Sequence, residues 1–426
     1  VVGRTFLQHT ETNFAIRTLA VLANMRPVDE REFSRLLAEA TATTVPVALV
    51  GGGSKDGIGR PMNAATTVST KALRGITLYE SSEMVMSARA GTPLAQIEDA
   101  LASRRQMLAF EPIELAGIGG GETGEGTIGG VFATNMSGAR RIRVGAARDH
   151  LLGVRAVSGR GDVFKSGGRV MKNVTGLDLC RGLAGSWGTL AVMCEVTFKV
   201  QPMPEETGTL ILLGLPDEIA VEVLCEAMRT PYEVSGAVHL QPALVARLWH
   251  EGLRRQGQAV TALRLENFAK SVAYRKGRLK EHLKAYGGIH DVDAENSLAF
   301  WGELRQLSVL QGSDAQLWRI STKPGAGPKV VAAVSAYMEC RAFYDWSGGL
   351  VWAEVLPTTD AGAADVRRVI ATYGGHATLI RAEPQVRAAV EVFQPLEAGL
   401  ERLSRKLKAS FDPAGILNPG RMYANF

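Results

Sequence analysis

Twenty-six of the 47 glycines in this 426-residue chain lie between positions 51 and 188. Glycine costs backbone entropy, so a surplus persists where the chain turns tightly or lies against a ligand. A loop-rich region full of turns would give the same count. What favours ligand binding is the way the cluster begins. The run Val45-Pro46-Val47-Ala48-Leu49-Val50 reads as a buried strand and empties directly into Gly51-Gly52-Gly53-Ser54-Lys55. Successive backbone N–H groups there can converge on an anion, with a hydroxyl and an ammonium beside them, which makes a phosphate cradle. It is not a P-loop, because the GxxxxGK[ST] spacing is absent. A literal GxGxxG occurs at Gly119, Gly121 and Gly124. Pro112 and a loop-like stretch precede it, further glycines follow it, and Glu122 and Glu125 would repel a pyrophosphate, so the dinucleotide βαβ fingerprint is rejected.

The remaining composition sets limits. The length suits two or three domains with sizeable cores. No apolar run reaches the 18 or more residues of a spanning helix. Cys180, Cys194, Cys225 and Cys340 are too far apart for a CxxC pair and read as reduced thiols of a cytoplasmic protein. The net charge of +5 favours anionic ligands or surfaces, but no aromatic-plus-basic cluster argues for nucleic acid. Residues 1–24 read as a leader or an upstream extension, since Met25-Arg26-Pro27 resembles a natural start. From Asp29 the spacing of Phe33, Leu36, Leu37 and Ala40 predicts a capped, half-buried helix.

Further loops carry alternating small residues, Asn and Thr: Thr127-Ile128-Gly129-Gly130, Asn135-Met136-Ser137-Gly138, Gly145, and Gly188-Thr189-Leu190-Ala191-Val192. The segments Ala90-Gly91-Thr92-Pro93-Leu94, Phe110-Glu111-Pro112, Arg148-Asp149-His150 and Val170-Met171-Lys172-Asn173-Val174 stand between them, and Phe411-Asp412-Pro413 to Asn418-Pro419-Gly420-Arg421-Met422 closes the chain. In this order and spacing the motifs resemble the FAD-binding domain of the vanillyl-alcohol-oxidase (PCMH-type) flavoproteins. More narrowly, they are similar to the FAD-binding E subunits of bacterial glycolate oxidases.

The resemblance implies an α+β fold. Residues 25–203 would be a two-lobed PCMH-type FAD-binding domain, residues 204–394 a ferredoxin-like cap, and residues 395–426 a helix and tail returning to the flavin. It implies that Gly51, Gly52, Gly53, Ser54 and Lys55 surround the FAD pyrophosphate. Pro112, Thr127, Ile128, Gly129, Asn135, Ser137, Gly138 and Gly145 would line the rest of the cofactor, Thr189, Leu190 and Val192 its adenine side, and Asn418 the flavin. The histidine that tethers flavin in some relatives is missing from Ser54 to Arg60, so FAD is expected to be non-covalent. His150, ahead of an apolar strand, reads as structural. The strand–helix–strand repeats between residues 205 and 382 suit the cap, and Pro395 is expected to open a helix with Leu396, Leu400, Leu403 and Leu407 on one face.

One departure limits the chemistry. Related D-2-hydroxy-acid dehydrogenases carry an HxGDGNxH-type metal-binding segment late in the cap. Here the corresponding stretch, Gly374-Gly375-His376-Ala377-Thr378, has a single histidine and no acid, so no metal site is expected and the catalytic base is unassigned. Arg319 is the candidate for a substrate carboxylate, with Trp346 in the same pocket; the alternative is that Arg319 pairs with a cap acid and the tryptophan is a core or interface anchor. The resemblance implies a FAD subunit of a complex that oxidises glycolate or a related 2-hydroxy acid. Its partners would be a sister flavin subunit and an iron–sulfur subunit, and it would be cytoplasmic with a peripheral place at the inner face of the bacterial membrane. A relay or supporting role for this chain fits the missing histidines best. A stand-alone dehydrogenase and a scaffold with a vestigial flavin site are the alternatives.

Overall fold

Asp29 opens the first helix among the described residues. Its carboxylate accepts from Glu32 N and caps the helix Glu30–Thr43, which presents Phe33, Leu36, Leu37 and Ala40 inward. The computed structural model describes residues 24–118, 125–170 and 176–426. The GxGxxG at 119–124, most of the Val170–Val174 motif and the proposed leader up to residue 23 lie outside the described residues.

The first helix packs on a small parallel pair, β1 (Val47–Val50) and β2 (Thr66–Ser69). The C-terminal tail completes this lobe: Val47 N donates to Ile416 O at 2.8 Å, and Ile416 and Leu417 join the apolar cluster beneath the helix. A second lobe has its own core and a five-stranded antiparallel sheet of order β3-β4-β8-β6-β7. Its strands are β3 (Ile76–Glu80), β4 (Val85–Arg89), β6 (Leu151–Ser158), β7 (Val163–Gly167) and β8 (Ala191–Lys199). A short pair, β5 (Gln106–Met107) with β9 (Gln201–Pro202), flanks it.

The later half forms one eight-stranded antiparallel sheet of order β13-β10-β12-β11-β15-β16-β14-β17. Its strands are β10 (Glu206–Leu213), β11 (Gly236–Leu240), β12 (Val260–Asn267), β13 (Ile289–Val292), β14 (Gln316–Ser321), β15 (Cys340–Asp345), β16 (Leu350–Val355) and β17 (His376–Arg381). The sheet order splits into two βαββαβ units, each with its fourth and first strands at one side and its second and third at the other. The units join where β11 meets β15, with Leu240 opposite Phe343.

Strand periodicity then decides which side chains face which way. In the first unit Leu210, Leu212, Leu263 and Leu265 point to one face, where they pack with Val272 and Leu279 of the helix Ala269–Leu283. In the second unit Trp318 sits under the helix Ala363–Tyr373, with Arg367 over its ring. The opposite face carries the helix Ala294–Arg305, whose Trp301 donates to Thr209 Oγ1 at 2.9 Å, and elsewhere lies against the first half of the chain, where Trp346 Nε1 donates to Gly138 O.

One sequence expectation shifts: Pro395 and Leu396 precede the helix that Pro395 was expected to open. The helix near the C-terminus runs Ala398–Phe411, and its leucines Leu400, Leu403 and Leu407 are exposed. Its buried residue is Lys408, whose ammonium bonds Asp412 Oδ2 at 2.6 Å, Thr189 O at 2.7 Å and Leu417 O at 2.9 Å.

Candidate functional site

The turn after β1 forms the floor of a cleft between the two lobes, enclosing about 710 Å³ including its open mouth. Of the residues expected to hold FAD, Gly51, Gly52, Gly53, Ser54, Lys55, Thr127, Gly129, Val192 and Asn418 line it. Space explains the glycines: a Cβ on Gly52 would lie 1.5 Å from Glu125 O, and one on Gly51 would lie 2.7 Å from Thr127 Oγ1. Gly53 adopts φ +92°, a left-handed value that costs glycine little. Among the described residues the backbone N–H groups of Gly52 to Lys55 donate no hydrogen bond. The buried Lys55 ammonium has one hydrogen bond, to Ser54 Oγ at 3.1 Å. Burial lowers its pKa, against the pull of Glu114 and Asp56. An arriving anion would relieve that penalty.

Arg421, which the sequence reading left unassigned, completes the cradle. It donates to Lys55 O at 2.9 Å and lies 5.5 Å over Trp187, while its buried Nε has no hydrogen-bond partner. Its position three residues after Asn418, in the Asn-Pro-Gly-Arg tail, was the available signal. Free N–H groups, a buried ammonium and an orphaned guanidinium nitrogen fit the pyrophosphate of a bound FAD. Among the described residues no His, Cys or Tyr lines the cleft.

Other expected residues build the walls. Asn135, at φ 52°, accepts from Arg148 N through its side chain, and Ser137 Oγ accepts from Ala147 N, each at 2.9 Å. Gly145 turns at φ +86° against Asp149. Pro112 O accepts from Arg305 Nε, Thr189 Oγ1 donates to Ser186 O, and Ile128 and Leu190 are core residues. Asn418 touches the cleft, yet its amide is already occupied: Oδ1 accepts from Leu49 N at 2.6 Å and Nδ2 donates to Trp187 O at 2.7 Å. It rivets the tail to β1. His150 is buried against Phe110, with Nε2 3.1 Å from Val144 O. Burial, then Lys199, holds its pKa down to about 4, so the ring is neutral.

The face of the eight-stranded sheet turned toward the first half brings a second group of charges to it. In the β15–β16–β14–β17 ladders, Asp345, Leu350, Ser321 and His376 form one row, and Phe343, Trp352, Arg319 and Thr378 the next. Trp346 follows Asp345 and donates from Nε1 to Gly138 O at 3.0 Å. Its ring lies near two guanidiniums, Arg141 of the first half at 4.1 Å and Arg319 at 5.1 Å. Neither arginine makes an ion pair among the described residues, and the buried Arg319 Nε has no hydrogen-bond partner. Burial, then Arg141, lowers the Arg319 pKa to about 10, so it stays charged. Ser137 and Gly138 line a small cavity beneath, shared with Glu111, Asp345 and Trp352. His376 ends its row; partial burial and then Arg319 and Arg141 lower its pKa.

The two halves are fastened beside this pocket. Glu111 takes a bidentate pair from Arg264 at 2.8 and 2.9 Å and a further contact from Arg140 Nη1 at 2.9 Å. Arg140 also grips Glu266 at 2.6 Å. Burial opposes ionisation of both acids, but the arginines hold Glu111 low and Glu266 at about 2. Gly236 leaves room for Trp301, which stacks 4.4 Å from the Arg264 guanidinium.

Comparison with known proteins agrees with this geometry. The FAD binding domain family matches residues 21–167. The chain is 34% identical over 407 residues to "Glycolate oxidase subunit GlcE" of Escherichia coli, covering 93% of this chain and 99% of that protein. It is 23% identical over 433 residues to "Glycolate oxidase subunit GlcD" of Bacillus subtilis, covering 94% and 89%. Substrate-bound p-cresol methylhydroxylase superposes with a TM-score of 0.70 at 13% identity over 94% of this chain and 88% of its own, a likeness of fold. By its near full-length match, this chain belongs to the GlcE family of FAD-linked oxidoreductases.

Proposed function

We propose that the chain is the FAD-binding subunit of a glycolate oxidase-type complex, oxidising glycolate or a related 2-hydroxy acid to the 2-oxo acid. FAD is held non-covalently, its pyrophosphate at Gly51–Lys55 and Arg421, with the paired βαββαβ units as a ferredoxin-like cap. When bound, FAD supplies the two-electron acceptor. Electrons then pass to an iron–sulfur subunit, with a sister flavin subunit in the same assembly.

The observation that carries a substrate site on this chain is the pair of unpaired guanidiniums around Trp346. A buried charge without a counter-ion is costly, and a bound carboxylate answers it, with the planar fork of Arg319 fixing its orientation. That favours substrate binding here over a pure relay role. The test is the visible spectrum of the purified chain, before and after anaerobic addition of glycolate or D-lactate. Expected is flavin absorbance released by acid precipitation, and bleached by one of the acids. A colourless chain that takes up no added FAD overturns the proposal, and flavin left in the precipitate overturns the non-covalent assignment.

A further inference from the structure

We infer that Asp345 is the group that takes the hydroxyl proton when a 2-hydroxy acid held at Arg319 is oxidised. The inference rests on the reading of the Arg319 pocket as a 2-hydroxy acid site, and it supplies the base that the missing histidine motif leaves unassigned.

The sheet face turned toward the first half, with the loop that meets it, carries four buried acids. Three are committed: Glu111 to Arg264 and Arg140, Glu266 to Arg140, and Glu354 to Arg247 and Arg381 at 2.8 and 2.9 Å. Asp345 makes no ion pair among the described residues, although it is only 6% exposed. Its one hydrogen bond uses Oδ1, which accepts from Trp346 N at 2.7 Å, leaving Oδ2 available. It stands one row from Arg319 on the same face and lines the cavity with Ser137, Gly138 and Trp352.

The backbone holds it there by force. Trp346, Ser347 and Gly348 follow at φ 50°, 56° and 87°, three consecutive left-handed residues of which only the last is glycine. Such strain, of order 1–3 kcal/mol per residue, persists where the surroundings over-determine a geometry, and it concentrates at functional turns. The other candidates on the face are poorer. His376 stands at the far edge of the sheet with Ser321 opposite it and Thr378 in the next row, and none of the three lines the cavity that Asp345 lines.

The groups facing Asp345 set its basicity. Burial raises its pKa to about 7 and Glu111 adds to the rise, while the Trp346 amide, Arg264 and Arg319 oppose it. Arg141 also faces the carboxyl across Trp346. A base is most effective with a pKa near the working pH. In the step, the substrate O–H bond breaks and its proton goes to Asp345 Oδ2. The freed oxygen pair forms the C2=O bond, and C2–H departs with its electron pair to oxidised flavin, the two-electron oxidant.

The test uses the flavin-loaded protein and the isosteric Asp345→Asn, which keeps the acceptor for Trp346 N. With the acid that bleaches the wild type, turnover should fall at least about 100-fold with KM changed by less than about threefold. The rise of kcat/KM with pH through about 7 should vanish. Oxalate, an unreactive dianion, gives a second readout through tryptophan fluorescence. The wild type should bind it several-fold more tightly at pH 6 than at pH 8, because ionised Asp345 repels it; Asp345→Asn should bind it equally at both. Asp345→Glu should restore part of the turnover and the pH dependence. Unchanged turnover in Asp345→Asn, or an oxalate pH dependence that survives it, overturns the inference alone. Failure of the wild type to bind oxalate, or binding indifferent to Arg319→Met, overturns the pocket reading and the inference with it.

Discussion

The glycine loops of residues 51–188 and the charged face of the eight-stranded sheet, the proposed cap, are both suited to anions, and they achieve it by opposite means. In the loops the binding groups are main-chain N–H donors, and side chains are absent because there is no space for them: Gly52 has a carbonyl 1.5 Å from where its Cβ would be. On the cap face the binding groups are long charged side chains buried on a sheet, each of which needs a partner or a ligand. The first arrangement fails by collision and the second by uncompensated charge, so substitutions in the two regions should produce different signatures.

The largest effect is expected where the halves are fastened. Arg264→Met leaves Glu111 buried with Arg140 as its remaining partner, and removing one member of such a group costs about 3–5 kcal/mol. Thermal denaturation should show the loss, and Glu111→Gln in the same chain should recover part of it. The acids also give a pH signature. Glu266 has a folded pKa near 2 against an ordinary 4.5, so its contribution is complete above about 4.5 and is lost as pH falls toward 2. Stability followed against pH should drop across that window, and less in Glu266→Gln.

Gly52→Ala should come next. The new methyl group must displace the Glu125 carbonyl or the loop, and with it the N–H groups of the cradle. Flavin affinity, measured by titrating the apoprotein, should weaken about 10- to 100-fold with little change in unfolding temperature. Equal losses of fold and flavin would erase the distinction between the regions. On the cap side, Arg319→Met should leave flavin content unchanged and weaken oxalate binding about 10- to 100-fold, the value of a charge-assisted fork.

The same contrast explains what could be read from the sequence. The cradle was legible because strand, glycines, Ser and Lys are contiguous, and local sequence decides whether a backbone can turn. The strands and helices from Glu206 to Arg381 were legible from periodicity where they alternate with polar residues. The strand Gly236–Leu240, buried along its whole length, and the short Ile289–Val292 carried no such pattern and went unseen. The pocket charges were harder still. Arg319 and Trp346 could be suspected from the sequence, but Arg141 and Asp345 join them only because three ladders and a contact between the two halves align them, and pairing register is non-local. Asn135 and Ser137 matched a motif, and the structure adds that their side chains accept from Arg148 N and Ala147 N in the turn that follows.

The helix Ala398–Phe411 gives the smallest effect and the sharpest check on periodicity as a guide to burial. Its leucines recur at helical spacing, which reads as a core-facing stripe, yet Leu400, Leu403 and Leu407 are 52%, 64% and 40% exposed. The helix is instead anchored at its last turn, where Lys408 reaches the Asp412 carboxylate and two carbonyls of the cleft wall and tail. A lysine can hold a helix in this way because its ammonium satisfies three acceptors that would otherwise be buried unpaired. Apolar side chains already in water have little burial energy to lose. Leu403→Lys should therefore shift the unfolding free energy of the isolated chain by no more than about 0.5 kcal/mol. A loss of about 2 kcal/mol or more would mean that the stripe is covered within the chain.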